Sequence, residues 1–413
     1  MIFFWFMKHL TKRLVGPRVL NEPITGSETT AELFEKAFGA YVGREVKTAY
    51  NIIKRMVEKD HTVVLAISGA MTPADFVVPC VIPLIKSGIV DVITTTGANI
   101  YHDVQRLESD DWFQVNPNEG DLKLRKAGWT RIYDTAFPED DLWATDNLII
   151  DLVRRSDFAH QMTTTQFHYL LGEHLSKHGR RRFATADLNR SLLVQAYRHK
   201  IPIFCGAPQD GSIFLNLAFL KRKLGPKYKF GIDMELDIHE FGAFHYFAKN
   251  KRSKKLSVII LGGGVPKNYS LQPEPYLTQI CGIDAGGYDM DVQISDAHVQ
   301  NGGLSSCTAS EAHTWGKTSE ACLKNSQYVF ADVTSTFPFI VHALMQEELE
   351  KEPRRLMEHR DEAIELLDKV LKRKTLREYY LKGKVKKGEL HPEAHFGSNH
   401  AGHVEKTADN PEA

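Results

Sequence analysis

The chain has 413 residues, of which 42% are hydrophobic and 25% charged, the balance of a globular protein with one large or two smaller domains. Lys+Arg and Asp+Glu both number 52, and no polybasic run dominates, so a nucleic-acid surface is not indicated. No run is long and apolar enough for a membrane helix, and Ile2–Met7 is apolar but too short to span a bilayer.

Because Ile2–Met7 also lacks the basic start of a signal peptide, translation is expected to begin at Met7, which intact-mass analysis would check. Residues 1–30 read as an arm. From Glu32 to Glu58, Leu33, Phe34, Ala37, Phe38, Tyr41 and Val42 recur at helical spacing, which predicts a helix. Thr62–Ile67 is a β-branched strand ending at Ser68-Gly69. Thr72 as N-cap and Pro73 at the first helical position predict a second helix, running to about Ser87-Gly88. The strand Val90–Thr94 follows directly. Strand, glycine turn, helix and strand make a βαβ unit, and such units build parallel sheets.

The pattern recurs downstream. Ile201–Phe204 precedes the Gly206–Gly211 turn, Ser257–Leu261 precedes Gly262-Gly263-Gly264, and Tyr328–Ala331 precedes Asp332 and a helix to roughly Glu350. The predicted fold is α/β, a doubly wound, mostly parallel sheet of Rossmann type with extra N- and C-terminal helices. Ligands of such sheets sit at the strands' C-terminal ends. Residues 31–380 form the main domain, with a charged helix over Pro353–Leu371. Residues 381–413 are polar and predict a disordered tail. It carries His391, His395, His400 and His403, for which solvation rather than metal binding is expected. The five cysteines (Cys80, Cys205, Cys281, Cys307, Cys322) are odd in number and lack metal-ligand spacing. Reduced thiols, a cytoplasmic location and no metal are the expectation.

Ser68-Gly69, Thr94-Thr95-Thr96-Gly97, Gly262-Gly263-Gly264 and Asp332 all fall where predicted strands end. Glycines let backbone approach a phosphate, while hydroxyls and an acid suit a ribose or diphosphate. Ordinary strand-to-helix turns favour the same residues. Lys317 stands two residues after Trp315. Desolvation beside an indole disfavours the ammonium, whereas the ring face attracts it. If burial wins, Lys317 is a neutral nucleophile able to form an imine. A surface lysine beside a packed tryptophan is the alternative. Thr308–Glu311 spells a capping box, which would place Glu311 at the third helical position.

Taken together, the motifs resemble those of deoxyhypusine synthases. Glu311-Ala312-His313-Thr314-Trp315-Gly316-Lys317 looks like the family's Glu-Ala-Val-Ser-Trp-Gly-Lys. Gly262–Lys267 looks like its Gly-Gly-Gly-Val-x-Lys, and Asp91–Gly97 like its Asp-Val-(apolar)₂-Thr-Thr-x-Gly. Asp210-Gly211-Ser212 matches Asp-Gly-Ser, and Phe330-Ala331-Asp332 matches Tyr-Ala-Asp. The motifs follow the family's order from about Ser68 to about Phe337. The resemblance implies NAD at the four strand-end positions, Lys317 as the imine-forming nucleophile, and Trp315, Glu311 and Asp210 near a polyamine. It also implies a homotetramer with sites shared between subunits.

The departures bear on substrate. Tyr101 and His102 stand where the family has two glutamates, with Asp103 next. Asn268-Tyr269 replaces its His-His, and Leu304–Cys307 its Asp-Ser-Gly-Ala. Carboxylates balance a polyamine's charge in a dry tunnel, so losing them should change which amine binds. Tyr101, His102 and Tyr269 are therefore expected in the substrate shell. The resemblance implies NAD-dependent transfer of an aminobutyl group from spermidine or a related polyamine. The acceptor is either the lysine of the hypusine-bearing translation factor or a small diamine such as putrescine, giving homospermidine. A plain amine dehydrogenase and a non-catalytic paralogue that regulates an active partner are the rival readings.

Overall fold

The computed structural model describes residues 16 and 18–373, apart from 110, 119, 184 and 185. The apolar start and the whole expected tail, with its four histidines, lie outside the described residues.

Six strands form one sheet: β1 (Thr62–Ile67), β2 (Val92–Thr95), β3 (Ile203–Cys205), β4 (Leu256–Leu261), β5 (Met290–Ser295) and β6 (Ser326–Phe330). Their order is β6-β5-β4-β1-β2-β3, and every neighbouring pair is parallel. Val64 of β1 pairs with Val92 on one side and Val258 on the other. Read from the β3 edge, this is the doubly wound order, with its switch point between β1 and β4. Strands buried on both faces need apolar residues throughout, and β1 and β4 supply them. Alternate side chains of β1 enter different cores. Val63, Leu65 and Ile67 join one, with Ile53 and Met56 of a long helix, and Val64 and Ala66 join the other, with Phe241 and Phe244.

The single helix expected over Glu32–Glu58 is two. The first, α1 (Thr30–Ala37), starts at a capping box between Thr29 and Glu32; the second, α2, spans Tyr41–Glu58. They part at Gly39, which packs so closely on Asn21 that an added Cβ would lie 2.3 Å from its Oδ1. The expected start at Thr72 is also wrong. The Thr72 hydroxyl donates to the Asn99 carbonyl at 2.9 Å, and the chain runs as turns to Val77. A π-turn then spans Val77–Val81 before a short α-helix, Ile82–Lys86. Pro79 and Pro83 supply no N–H, which weakens a regular ladder there. Near the chain's end, the helix after Asp332 stops at Gln346 and the charged one begins at Arg360.

Two features were not anticipated. Residues 113–138 hold a three-stranded antiparallel sheet. Central strand β5 escaped notice because Asp291 and Gln293 break its apolar pattern. Asp91, part of a quoted motif, lies at the start of β2 in a fully buried pair with the Lys351 ammonium. Lys351 also donates to the His61 carbonyl at 2.6 Å, so its role is to fasten the chain across the sheet's N-terminal ends.

Candidate functional site

The turns after β1 and β4 meet at the switch point. The Ser68 hydroxyl donates to the Leu261 carbonyl and accepts the Gly263 N–H, both at 2.9 Å. The Gly264 N–H donates to Ser305 Oγ at 2.9 Å and opens helix α5 (Gly264–Leu271). Gly69, Gly262 and Gly264 have positive φ. At Gly263 the limit is space, since an added Cβ would lie 2.4 Å from Ser305 Oγ and 2.6 Å from Ser305 Cα. Backbone therefore lines this crevice beside a helix N-terminus. That surface fits a pyrophosphate, and the residues present are compatible with NAD.

The Thr94–Gly97 turn contributes less than expected. Thr94 Oγ1 lies 2.6 Å from Ser270 Oγ and donates to the Pro266 carbonyl at 3.1 Å, while Thr95 Oγ1 donates to Ile67 at 3.3 Å. Both threonines are fully buried, so their hydroxyls brace the turn. Thr96 caps the next helix, α3 (Gly97–Glu108), and donates to the Gly69 carbonyl at 3.0 Å. Asp332 is exposed beyond edge strand β6, where it caps the following helix through Ser335 N–H at 2.9 Å.

Lys317 follows a short helix, Ala309–Thr314, whose N-cap Thr308 accepts the Glu311 N–H at 3.2 Å. This is one half of the expected capping box: Glu311 stands at the third helical position, and its N–H, not its carboxylate, makes the bond. Lys317 Nζ lies 5.7 Å from the centre of the Trp315 ring, and Trp315 itself is 54% exposed. Burial lowers the Lys317 amine below the ordinary lysine value, against the opposing charges of Cys307 and Glu311.

Lys267, whose role sequence reasoning left unassigned, joins the crevice to the Lys317 segment. Its Nζ donates to Gln293 Oε1 at 2.7 Å, to Ser305 O at 3.1 Å and to Cys307 O. Gln293 Nε2 adds bonds to Ser305 O at 2.8 Å and Gly262 O at 2.9 Å. Lys267 is buried, and desolvation lowers its amine, with Lys317 among the charges acting in the same direction. The available signal was the polar pair Asp291 and Gln293 inside an apolar sheet, since a buried polar residue requires a partner.

The substrate-shell residues divide. Tyr101 is buried, with its hydroxyl on Asp146 Oδ1 at 3.0 Å and Leu142 O at 3.2 Å, both on helix α4 (Asp140–Val153). His102 Nδ1 bonds Gln105 Oε1 at 2.6 Å within an aromatic set of Tyr101, Trp112 and Phe137. Asp103 takes Ser191 Oγ and the N–H groups of Leu192 and Leu193 at 2.7–3.0 Å, capping another helix. These three serve packing between helices within the chain. Asp210 is exposed on the turn after β3, and that turn touches the Thr94–Gly97 turn where a Cβ on Gly211 would lie 2.8 Å from Gly97 Cα. Tyr269, on α5, lies over Gly206 and donates to Asp237 Oδ2 at 2.6 Å. Asp237 is buried on the long helix Met234–Lys251, and burial pushes its carboxyl up to about 7.

Fold and site together define a doubly wound α/β protein with a glycine-lined crevice at its switch point and a half-buried lysine on a neighbouring segment. The deoxyhypusine synthase family model matches residues 32–344. The deoxyhypusine synthase-like protein of Nostoc punctiforme is 34% identical over 364 residues, 88% of this chain and 90% of that protein. The probable deoxyhypusine synthase 2 of Methanosarcina acetivorans is 34% identical over 311 residues, 74% of this chain and 82% of that one. A crystal structure from Entamoeba histolytica, provisionally described as a deoxyhypusine synthase, has a TM-score of 0.51 at 17% identity over 81% of this chain and 98% of its own, a likeness of fold. The chain belongs to the deoxyhypusine synthase family, a family of transferases. Among the described residues no helix is long and apolar enough to cross a membrane.

Proposed function

We propose that this protein transfers an aminobutyl group from a polyamine, through an imine on Lys317, to an acceptor amine. The observation that carries the reading is the half-buried Lys317 beside Trp315, its amine lowered by burial. A lowered amine has a larger neutral fraction near pH 7, and the neutral form is the nucleophile. Ser68, Gly69 and the Gly262–Gly264 turn would hold NAD, which would supply a hydride acceptor for the polyamine and return the hydride to the acceptor's imine.

Lys317 Nζ attacks the carbon of the oxidised polyamine's C=N bond, the small diamine leaves, and the butyl fragment stays on Nζ as an imine. The acceptor nitrogen then attacks the same carbon and Lys317 departs as the free amine. The Trp315 face holds a cationic chain, a contact of about 0.5–2 kcal/mol. Trp315 is 54% exposed in the single chain, so a dry polyamine tunnel needs a covering surface. A second copy supplying it accords with a shared-site homotetramer.

Lys317→Arg keeps the charge but cannot form the imine. Borohydride trapping with NAD and labelled spermidine should mark the parent protein and leave the variant unmarked; equal labelling would end the reading. Tyr101 and His102 stand where the family has two glutamates and pack between helices instead, so these positions bring no carboxylate to the substrate and a small diamine should be a better acceptor than the translation-factor lysine. Matched assays with both acceptors decide this, and efficient protein modification with diamines ignored would refute the preference.

A further inference from the structure

Lys317 has little regular structure to hold it. Its helix ends at Thr314, Gly316 has φ +70°, and Lys317 N–H reaches back to Ala312 O at 3.1 Å. His313 Nδ1 bonds Thr318 O at 2.6 Å and Thr318 Oγ1 bonds Ala309 O at 2.9 Å, and the backbone tie to the sheet side is one parallel rung. Tyr288 N–H donates to Lys317 O at 3.1 Å, and Tyr288 O accepts Ser319 N–H at 2.9 Å. Gly287 lets the two segments meet. Its φ is +67°, and an added Cβ would lie 2.7–2.9 Å from the Thr318–Ser319 backbone.

Gly287 and Tyr288 are both tied to a buried polar chain outside every motif that marked the site. Glu274 Oε2 accepts Gly287 N–H at 3.1 Å, and Oε1 lies 3.0 Å from His245 Nδ1. His245 Nε2 lies 3.1 Å from the Tyr288 hydroxyl, which donates to Ser270 O at 2.8 Å. His245, Glu274 and Tyr288 are at most 1% exposed. They lie in the core that also holds Phe241, Phe244, Leu271 and Leu277. Apolar side chains would fill that volume without the desolvation penalty of a glutamate and a histidine. What the polar chain adds is direction. It fixes the Tyr288 ring at its hydroxyl end and the Gly287 peptide at its N–H, and the peptide between them carries Lys317.

We propose that Glu274, His245 and Tyr288 are positioning residues for Lys317, which they orient through the Gly287–Tyr288 backbone; this rests on Lys317 being the nucleophile. A misplacement of about 1 Å costs on the order of a hundredfold in a reaction that depends on orientation.

The test uses Tyr288→Phe, which keeps the ring and removes the hydroxyl, and Glu274→Gln, which keeps the shape and an acceptor. Three quantities are read on the full chain: the rate of borohydride-trapped labelling with NAD and spermidine, NAD affinity, and amide hydrogen exchange over residues 315–320. Slower trapping by about tenfold to a hundredfold, with unchanged NAD affinity and faster exchange over 315–320, supports the proposal. A folded variant that is trapped at the parent rate overturns it, even if its melting temperature has dropped, because a purely structural role predicts that result. If the parent protein is never trapped while its exchange pattern responds to the substitutions, the nucleophile reading fails and takes the catalytic role of these residues with it. Should Glu274→Gln fail to fold, Tyr288→Phe alone decides.

Discussion

Gly263→Ala tests how the cofactor crevice and the nucleophile's segment depend on each other. The added Cβ would sit 2.4 Å from Ser305 Oγ, 2.5 Å from its Cβ and 2.6 Å from its Cα. Carbon contacts settle at about 3.5–4.0 Å, so Ser305 must retreat by roughly 1 Å. Gly263 has φ 169°, outside the left-handed region, so the crowding against Ser305 is the main effect. Ser305 cannot move alone. Its carbonyl holds Lys267 Nζ and Gln293 Nε2, and its hydroxyl holds Gly264 N–H. Crowding of this kind costs about 1–3 kcal/mol. Part will appear as lost stability and part as weaker NAD binding, with about tenfold in affinity for each 1.4 kcal/mol. Urea unfolding gives the first share and titration calorimetry the second. Ser305 leads through Cys307 into the Lys317 helix, so labelling of Lys317 should slow as well. A Gly263→Ala protein with parental stability, affinity and labelling rate would refute both the packing argument and the assignment of the crevice.

Lys351→Met leaves Asp91 buried without its cation and should cost about 3–5 kcal/mol in urea unfolding. Adding Asp91→Leu should recover much of that loss, and a single variant within 1 kcal/mol of the parent would show that the pair is not the fastening it looks like. Asp237 titrates at about 7 in the fold against 3.8 unperturbed. The unfolded chain therefore releases this proton first, and between those values stability falls as pH rises. Asp237→Asn can keep the Thr164 and Tyr269 bonds while removing the ionisation, so its stability should fall less between pH 5 and pH 8; an unchanged slope would contradict the burial argument. Tyr101→Phe should cost about 1 kcal/mol from its lost bonds to Asp146 and Leu142 and leave the spermidine KM unchanged. A raised KM would return Tyr101 to the substrate shell.

The sequence by itself determined the doubly wound class, because five of the six strands are largely apolar runs that end in glycine or acid turns. It also marked Lys317 and the Gly262–Gly264 turn, since short-range chemistry, a lysine after Trp-Gly and a glycine run after a strand, survives in linear order. Tertiary structure decided what those residues touch. Thr94 and Thr95 look like ligands in a motif and prove to be braces, because parallel neighbours leave both inside the sheet. Tyr101 and His102 face helices rather than the crevice, a direction set by α3's packing on α4. Asp91 and Lys351 meet across 260 residues, and Lys267 meets Cys307 across 40. Strand β5 was hidden because its polar residues are partners for a lysine elsewhere in the chain. Buried polar groups are satisfied at long range, and a linear pattern records the residue but not the partner that makes its burial affordable.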